Sequence, residues 1–502
     1  MKTFKQLTAV RWIAILAFAI TLSACKKDKK QDTLVIGPDV NFFVLSENNK
    51  LSVANAYSGS NSSQLTVTGL QASETLLAID FRPATGQLYG LGSTSRIYII
   101  NANTGVATAL GTAPFTPALS GTAIGFDFNP TVDRIRIVTS TGQNLRVHPE
   151  TGAVAFTDGV INAANGVTSV AYTDSRAGAA ATILFDIDTK NNKLYKQDPP
   201  NDGVLVEVGN LNVDPEDVGG FDISSDGSAA LASMTVGGKT GLYTINLTSG
   251  AATKVGDFQG QIIGLAIPTP AVAYAISQTN ELIIYNPNTG TTINKAITGL
   301  QSGESVLGID MRPANGQLYI LGSSSRLYTV NASSGAAAAV GTAPFATLLV
   351  GTSFGFDFNP TVDRIRIVSN TGQNLRVHPE TGAVAFVDGV LKPGTPTVTA
   401  AAYTNNFPGA TATTLFDIDT QTNMLYKQDP PNEGTLTLVG NIGVDITEAN
   451  GFDIGGGSGL AYALLTTGTT TRLYSINLTT GLATAVKEFP TGVKGFTIGL
   501  GF

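Results

Sequence analysis

From about residue 40 onward, apolar positions come in short runs bounded by Gly, Asn, Asp and Thr-Gly pairs, and not at the spacing of an amphipathic helix. Many runs begin with a phrase of the form Gly-Ile/Phe-Asp. Examples are Ala78-Ile79-Asp80, Gly125-Phe126-Asp127 and Gly220-Phe221-Asp222, with Ser169-Val170-Ala171-Tyr172 as a divergent copy. A second strand ending in Leu-Tyr or similar follows. A third is closed by Asn-x-x-Thr-Gly or a relative, as at Asn101 to Gly105, Pro149 to Gly152, Asn246 to Gly250 and Asn286 to Gly290. First strands start near 78, 124, 168, 219, 262, 307, 354, 398, 450 and 497, in steps of 43 to 52 residues. A period of about 40–50 residues with several short strands per unit predicts an all-β fold of β-propeller blades. Asn-Gly, Asp-Gly and Thr-Gly pairs suit the tight hairpins between strands, which need positive φ. No stretch after residue 30 combines helical periodicity with caps, so no long helix is expected.

A larger repeat overlies the small one. GFDFNPTVDRIRIV at 125–138 recurs at 355–368, TGQNLRVHPETGAVAF at 141–156 recurs at 371–386, and YKQDPPN at 195–201 recurs at 426–432. The offset is 230 or 231 residues. The expected domains are therefore 40–268 and 271–502, joined at Ile267-Pro268-Thr269-Pro270-Ala271. Each half begins with outer-type strands (from Phe42 and Ala273) and ends with a lone inner-type strand, Ile262 to Ala266 or Thr497 to Phe502. Open sheet edges invite aggregation, so those lone strands are expected to complete the first blade of a ring. Two tandem five-bladed propellers are the expected architecture, and one ten-bladed propeller is the alternative.

The stretches GLQASETLLAIDFRPATGQLYGLGSTSRIYIINANTG, GFDFNPTVDRIRIV and TGQNLRVHPETGAV resemble an uncharacterised bacterial family, a domain of unknown function built on the phrase GFDFNPTVDRIR. The resemblance covers both halves, essentially 40–502. Because proteins resembling one half alone exist, it implies that one half is a closed unit. It brings no activity and no catalytic residues.

Composition narrows the function. Charged residues are only 13% of the 502, and the formal net charge is −7. An acidic chain does not present the positive face that nucleic acid requires. With 2 His and 1 Cys, neither a disulfide framework nor a Cys/His metal cluster can be built. Lys2, Lys5 and Arg11 precede an uncharged run from Trp12 to Ala24, too short for a bilayer span but suited to a signal peptide. The run ends Leu22-Ser23-Ala24-Cys25, which resembles a bacterial lipobox. Residues 1–24 are thus read as a lipoprotein signal peptide. Residues 25–39 are read as a tether, acylated at Cys25 and made basic by Lys26, Lys27, Lys29 and Lys30. Removing the signal peptide leaves 27 positive and 37 negative charges, a net of −10. The expected partner is a membrane, reached through the acyl chains. The expected location is the cell envelope, as an outer-membrane lipoprotein, with surface exposure implied by the Lys-rich tether.

Candidate chemistry is sparse. His148 and His378 occupy equivalent Val-His-Pro-Glu-Thr-Gly turns and read as exposed turn residues, so no catalytic residue is assigned. Asp186 with Asp188, and Asp417 with Asp419, place two carboxylates on one strand face. They read as turn caps, with a calcium site as the alternative and no other cofactor expected. The richest segment carries Asp127, Asn129, Asp133, Arg134, Arg136, Gln143, Asn144 and Arg146, with copies Asp357, Asn359, Asp363, Arg364, Arg366, Gln373, Asn374 and Arg376. Strand alternation puts Arg134 and Arg136 on one face, about 7 Å apart. These residues form a candidate floor for an anionic or hydroxyl-rich ligand. The structural alternative is that the arginines pair with Asp127 and Asp133, in which case Arg134→Ala and Arg364→Ala would lower the melting temperature sharply. The leading expectation is a non-enzymatic, extracytoplasmic module that binds a glycan, polymer or protein. An extracellular glycoside hydrolase with paired carboxylates and a structural envelope scaffold are the alternatives.

Overall fold

A computed structural model describes residues 36–59, 62–162 and 166–502. The signal segment, Cys25 and most of the tether lie outside the described residues. Among the described residues there are forty strands in ten four-stranded antiparallel sheets, three short 3-10 turns and no α-helix. The arrangement is propeller-like, with two tandem sets of five sheets.

Eight sheets are built from four consecutive strands. In the first sheet of each half the fourth strand comes from that half's far end. Ile262–Ala266 pairs with Asn41–Ser46, in the register Phe43 to Ala266 and Val44 to Leu265. Val493–Ile498 pairs with Ala273–Ser277, in the register Ala273 to Ile498 and Tyr274 to Thr497. The last strand of the chain therefore returns to residue 273 and not to residue 42.

The strands that begin with the Gly-x-Asp phrase lie side by side. In the first half Ile262–Ala266 packs beside Leu76–Phe81, which packs beside Ile124–Asn129, then Val167–Tyr172, then Asp217–Ile223, and the last packs against the first. The second half repeats this with Val306–Met311, Phe354–Asn359, Val398–Tyr403, Glu448–Ile454 and Val493–Ile498.

The hydrophobic core is distributed between neighbouring sheets. Tyr89, Leu91, Ile97 and Ile99 face Phe126, Phe128, Ile135 and Ile137, and Tyr89 meets Phe128 edge-on at 5.1 Å. Tyr319, Leu321 and Leu327 face Phe356, Phe358, Ile365 and Ile367 in the second half, with Tyr319 and Phe358 again 5.1 Å apart. Strand alternation sends one set of side chains into each inter-sheet layer, so most strands are buried on both faces.

The halves also touch each other, through the turn at residues 82–87. Tyr274 donates its hydroxyl to the Ala84 carbonyl at 2.8 Å, and the Gly501 N–H donates to the Thr85 carbonyl at 2.9 Å. Ala84 is buried in a cluster with Val272, Tyr274 and Leu500.

Candidate functional site

The Gly-x-Asp phrase has a mechanical explanation. A Cβ added at Gly125 would sit 2.7 Å from the Val170 nitrogen of the next sheet, and one at Gly355 would sit 2.7 Å from the Ala401 nitrogen. The first strands approach so closely there that only glycine fits. Two residues on, the aspartate reaches across the same gap. Asp80 accepts the Phe128 N–H at 2.9 Å, Asp127 accepts that of Tyr172, and Asp222 accepts that of Ile267 at 2.5 Å. In the second half Asp310 accepts from Phe358 at 2.8 Å, Asp357 from Tyr403 at 3.0 Å and Asp453 from Ile498 at 2.8 Å. Each is a brace between adjacent sheets in which a buried carboxyl oxygen satisfies a backbone N–H.

These braces bring carboxylates together. One oxygen from each of Asp80, Asp127 and Asp222 lies within 4.8 Å of the others, and Asp310, Asp357 and Asp453 form the same group. All six residues are buried. Burial pushes the carboxyls of Asp80 and Asp127 well above the usual range, and neighbouring carboxylates push them further. Asp310 and Asp357 behave alike. Burial raises Asp222 to about 7 and Asp453 to about 6. Asp186 and Asp417 are also buried, with no hydrogen-bond partner on either carboxylate oxygen among the described residues. Burial lifts Asp417 to about 8 against the opposing pull of Arg366.

The arginines expected to form a ligand floor do different work. Arg136 is 1% exposed and donates to Tyr172, Asn144, Asp158 and Asn201 at 2.6–3.2 Å. Arg146 makes a two-pronged pair with the same Asp158 at 2.7 and 2.8 Å, and its guanidinium lies 4.1 Å over the Phe156 ring. Arg366 and Arg376 repeat this around Asp388, Asn374, Asn432, Tyr403 and Phe386. Arg134 and Arg364 instead donate to nearby backbone carbonyls, of Val132 and Asp133 and of Val362 and Asp363. The buried pair anticipated for Arg134 and Arg364 therefore belongs to Arg136 and Arg366, and its acid is Asp158 or Asp388, not Asp127 or Asp133.

Asp133 is taken by Arg82, which grips it at 2.9 and 2.5 Å and also pairs with Glu150. In the second half Arg312 holds Asp363 and Glu380. The remaining expected residues shape loops. Asn129 and Asn359 accept from the N–H and hydroxyl of Thr131 and Thr361. Gln143 tethers Ser120 and Ala118, and Gln373 tethers Val350 and Leu348. Asn144 and Asn374 donate to carbonyls of the neighbouring sheet's loop, Pro200 and Pro431. Asp188 and Asp419 cap turns, accepting from Gly166, Lys190 and Asn191 and from Thr397, Gln421 and Thr422. His148 and His378 are half-buried rather than exposed. Burial, with Arg134 close by, lowers the His148 pKa.

A cleft of about 320 Å³ lies where the halves meet. Phe43, Phe81, Phe407 and Phe502 wall it, and Gln87 and Thr269 line it. The Gln87 amide oxygen and the Thr269 hydroxyl are buried without a partner among the described residues. None of the residues expected from sequence lines this cleft. Its Pro-Thr-Pro element reads in the sequence as a stiff linker or a simple turn between the halves. In the sequence Asp80 and Asp222 read only as part of the phrase that marks a first strand, and Asp310 and Asp453 stand at the same position in the second half. Their recurrence at one position of the first strand was the available signal.

The family described as "Domain of unknown function (DUF4394)" matches residues 50–266 and 275–498. No curated protein matches the chain. The extracellular domain of a B. thetaiotaomicron protein described as a one component system is 13% identical, with a TM-score of 0.25. That match covers 90% of this chain and 59% of the other, so the chain spans about three-fifths of that protein's length. The dihydro-heme d1 dehydrogenase NirN in complex with DHE is 8% identical with a TM-score of 0.24, over 78% of this chain and 70% of the other.

Arg136→Ala is expected to cost about 3–5 kcal/mol by leaving Asp158 buried and underpaired. Arg134→Ala is expected to cost less than about 1 kcal/mol. Urea unfolding of both variants, and of Arg366→Ala beside Arg364→Ala, checks this, and equal losses within a pair would refute the assignment. The buried acids set a pH dependence. Their folded pKa values lie above the unfolded ones, so between the two the native state binds more protons. Stability therefore falls as pH rises through that window. In chelator-treated buffer the unfolding free energy is expected to decline from pH 5 to pH 8, across the values of Asp453, Asp222 and Asp417. Asp417→Asn should flatten part of the decline, and a rising profile would contradict it.

Proposed function

We propose that this chain, which belongs to the DUF4394 family and carries two copies of its domain, is a lipid-anchored extracytoplasmic binding module built as two five-bladed propellers. Two rings are supported by the return of Val493–Ile498 to Ala273–Ser277 and of Ile262–Ala266 to Asn41–Ser46. A single ten-bladed ring would need the chain's last strand near residue 42.

The observation that carries the binding role is the cleft between the halves. It is concave, mainly apolar, and has a few polar groups, the usual make-up of a small-ligand site. Its Phe rings offer apolar faces, and the Gln87 and Thr269 side chains line it beside them. A glycan complements such a lining, with ring C–H faces for the aromatic walls and hydroxyls for the polar side chains. The Arg136 and Arg366 lattices are already satisfied by Asp158 and Asp388, which supports a structural role for that segment and leaves the junction as the better candidate for a ligand seat. Anchoring rests on the sequence: a short uncharged segment ending in Leu-Ser-Ala before the chain's single cysteine.

A glycan array probed with the chain from residue 31 is expected to show retained ligands, with Gln87→Ala weakening binding about tenfold, the worth of one buried hydrogen bond. A blank array, or binding indifferent to Gln87→Ala, would count against the cleft. Cell fractionation tests the anchor. Wild type should sediment with membranes and carry an acylated Cys25 at its mature terminus, whereas Cys25→Ser should move to the soluble fraction. An unmodified thiol in the membrane fraction would overturn the anchoring.

A further inference from the structure

Three carboxylates drawn within 4.8 Å of one another inside a protein need positive charge, as shared protons, a cationic side chain or a metal ion. The cationic side chain is already committed elsewhere. Arg136 stands opposite Asp127 in strand register, yet its guanidinium is spent on Tyr172, Asn144, Asp158 and Asn201. The backbone meets only part of the demand. Asp80 and Asp222 each accept two N–H groups, but among the described residues Asp127 keeps its Oδ1 without any donor. In the second half the equivalent Asp357 keeps its Oδ2 without one. The same orphaned oxygen in both copies, on residues 1% exposed, is an observation separate from the crowding of the acids.

The donor set indicates which ion suits it. All ligands are carboxylate oxygens, with no nitrogen or sulfur, which selects a hard cation. Calcium accepts a flexible cage made of protein oxygens, whereas magnesium dehydrates reluctantly and keeps several waters. A buried group of carboxylates within 4.8 Å of one another therefore suits calcium.

The two groups differ at one position. In the second half the Thr497 hydroxyl sits 2.9 Å from Asp310 Oδ1 and 2.8 Å from Asp453 Oδ2. It contributes a proton to the carboxylates from within. The equivalent residue in the first half is Ala266, by its pairing with Phe43 next to the site of the Asp222 brace, and it has no hydroxyl to give. We propose that Asp80, Asp127 and Asp222 bind a calcium ion at the centre of the first half, and that Asp310, Asp357 and Asp453 bind a second one more weakly because Thr497 already supplies a donor. The ion joins three of the five sheets in each half and complements the backbone braces.

Calcium titration of the full chain in detergent, after chelator treatment, tests this by calorimetry, with tyrosine-sensitised terbium emission as a second readout. The expected result is two saturable sites of unequal affinity and a higher melting temperature with calcium. Asp127→Asn keeps an acceptor for the Tyr172 N–H and should remove the stronger site alone, while Asp357→Asn removes the weaker. Thr497→Ala should strengthen the weaker site about tenfold, the scale of an altered hydrogen bond to a ligating group. If Asp127→Asn does not fold, wild type and Thr497→Ala decide the matter. Absence of saturable calcium binding and of any melting shift in wild type would overturn the proposal and leave shared protons as the neutralising charge. Tighter binding of magnesium than calcium would overturn the choice of ion.

Discussion

The structure depends on one contact made six times: a buried aspartate on the first strand of one sheet accepting a backbone N–H from the first strand of the next. A strand at the centre of such an arrangement has no room for large side chains, and the residue two before the aspartate, glycine in five cases and Ala78 in the sixth, marks how close the backbones come. That closeness puts the carboxylate within reach of its neighbour's N–H. It also puts the carboxylates within reach of one another, so the braces and the acidic clusters are two consequences of the same geometry. Unpaired buried acids are costly, and they persist here because each one joins two sheets that no sheet ladder connects.

Nearly identical sequence does not give identical surroundings. Arg82, Asp133 and Glu150 have exact counterparts in Arg312, Asp363 and Glu380, with the same hydrogen-bonding plan. Yet the side chain of Asp133 is 2% exposed and that of Asp363 is 35% exposed. The cause is the packing of the halves. The Gly316 carbonyl of the second half reaches Arg82 at 3.2 Å, and the Ser333 hydroxyl reaches the Pro130 carbonyl, so the first-half network is covered. The same contact shapes the cleft. It makes the two copies inequivalent as binding elements although their strands are built alike.

The repeated segment around Asp127–Arg146 and Asp357–Arg376 illustrates how far residue pattern leads. Alternation correctly places Arg134 and Arg136 on one face, because a strand's side chains have a period of two. It does not say which is covered. Arg136 falls beneath the next sheet's loop, against Asn201 and Tyr172, while Arg134 lies at the strand's end and reaches only nearby carbonyls. Asp158, which completes the Arg136 and Arg146 pairs, sits past a register shift in the outer strand, so its approach could not be read from spacing.

By itself the sequence determined the all-β class, the ten units, the duplication, and the Gly-x-Asp positions that brace them. These are local or periodic properties: turn chemistry, strand alternation, and a glycine where no side chain fits. Tertiary structure alone decided that residues 493–498 return to 273–277, which carboxylates converge, which arginines are buried, and that a cleft opens beside Gln87. Those outcomes depend on contacts between residues hundreds of positions apart, such as Thr85 and Gly501, and strand register and burial there are set by the packing of whole sheets rather than by any short stretch of chain.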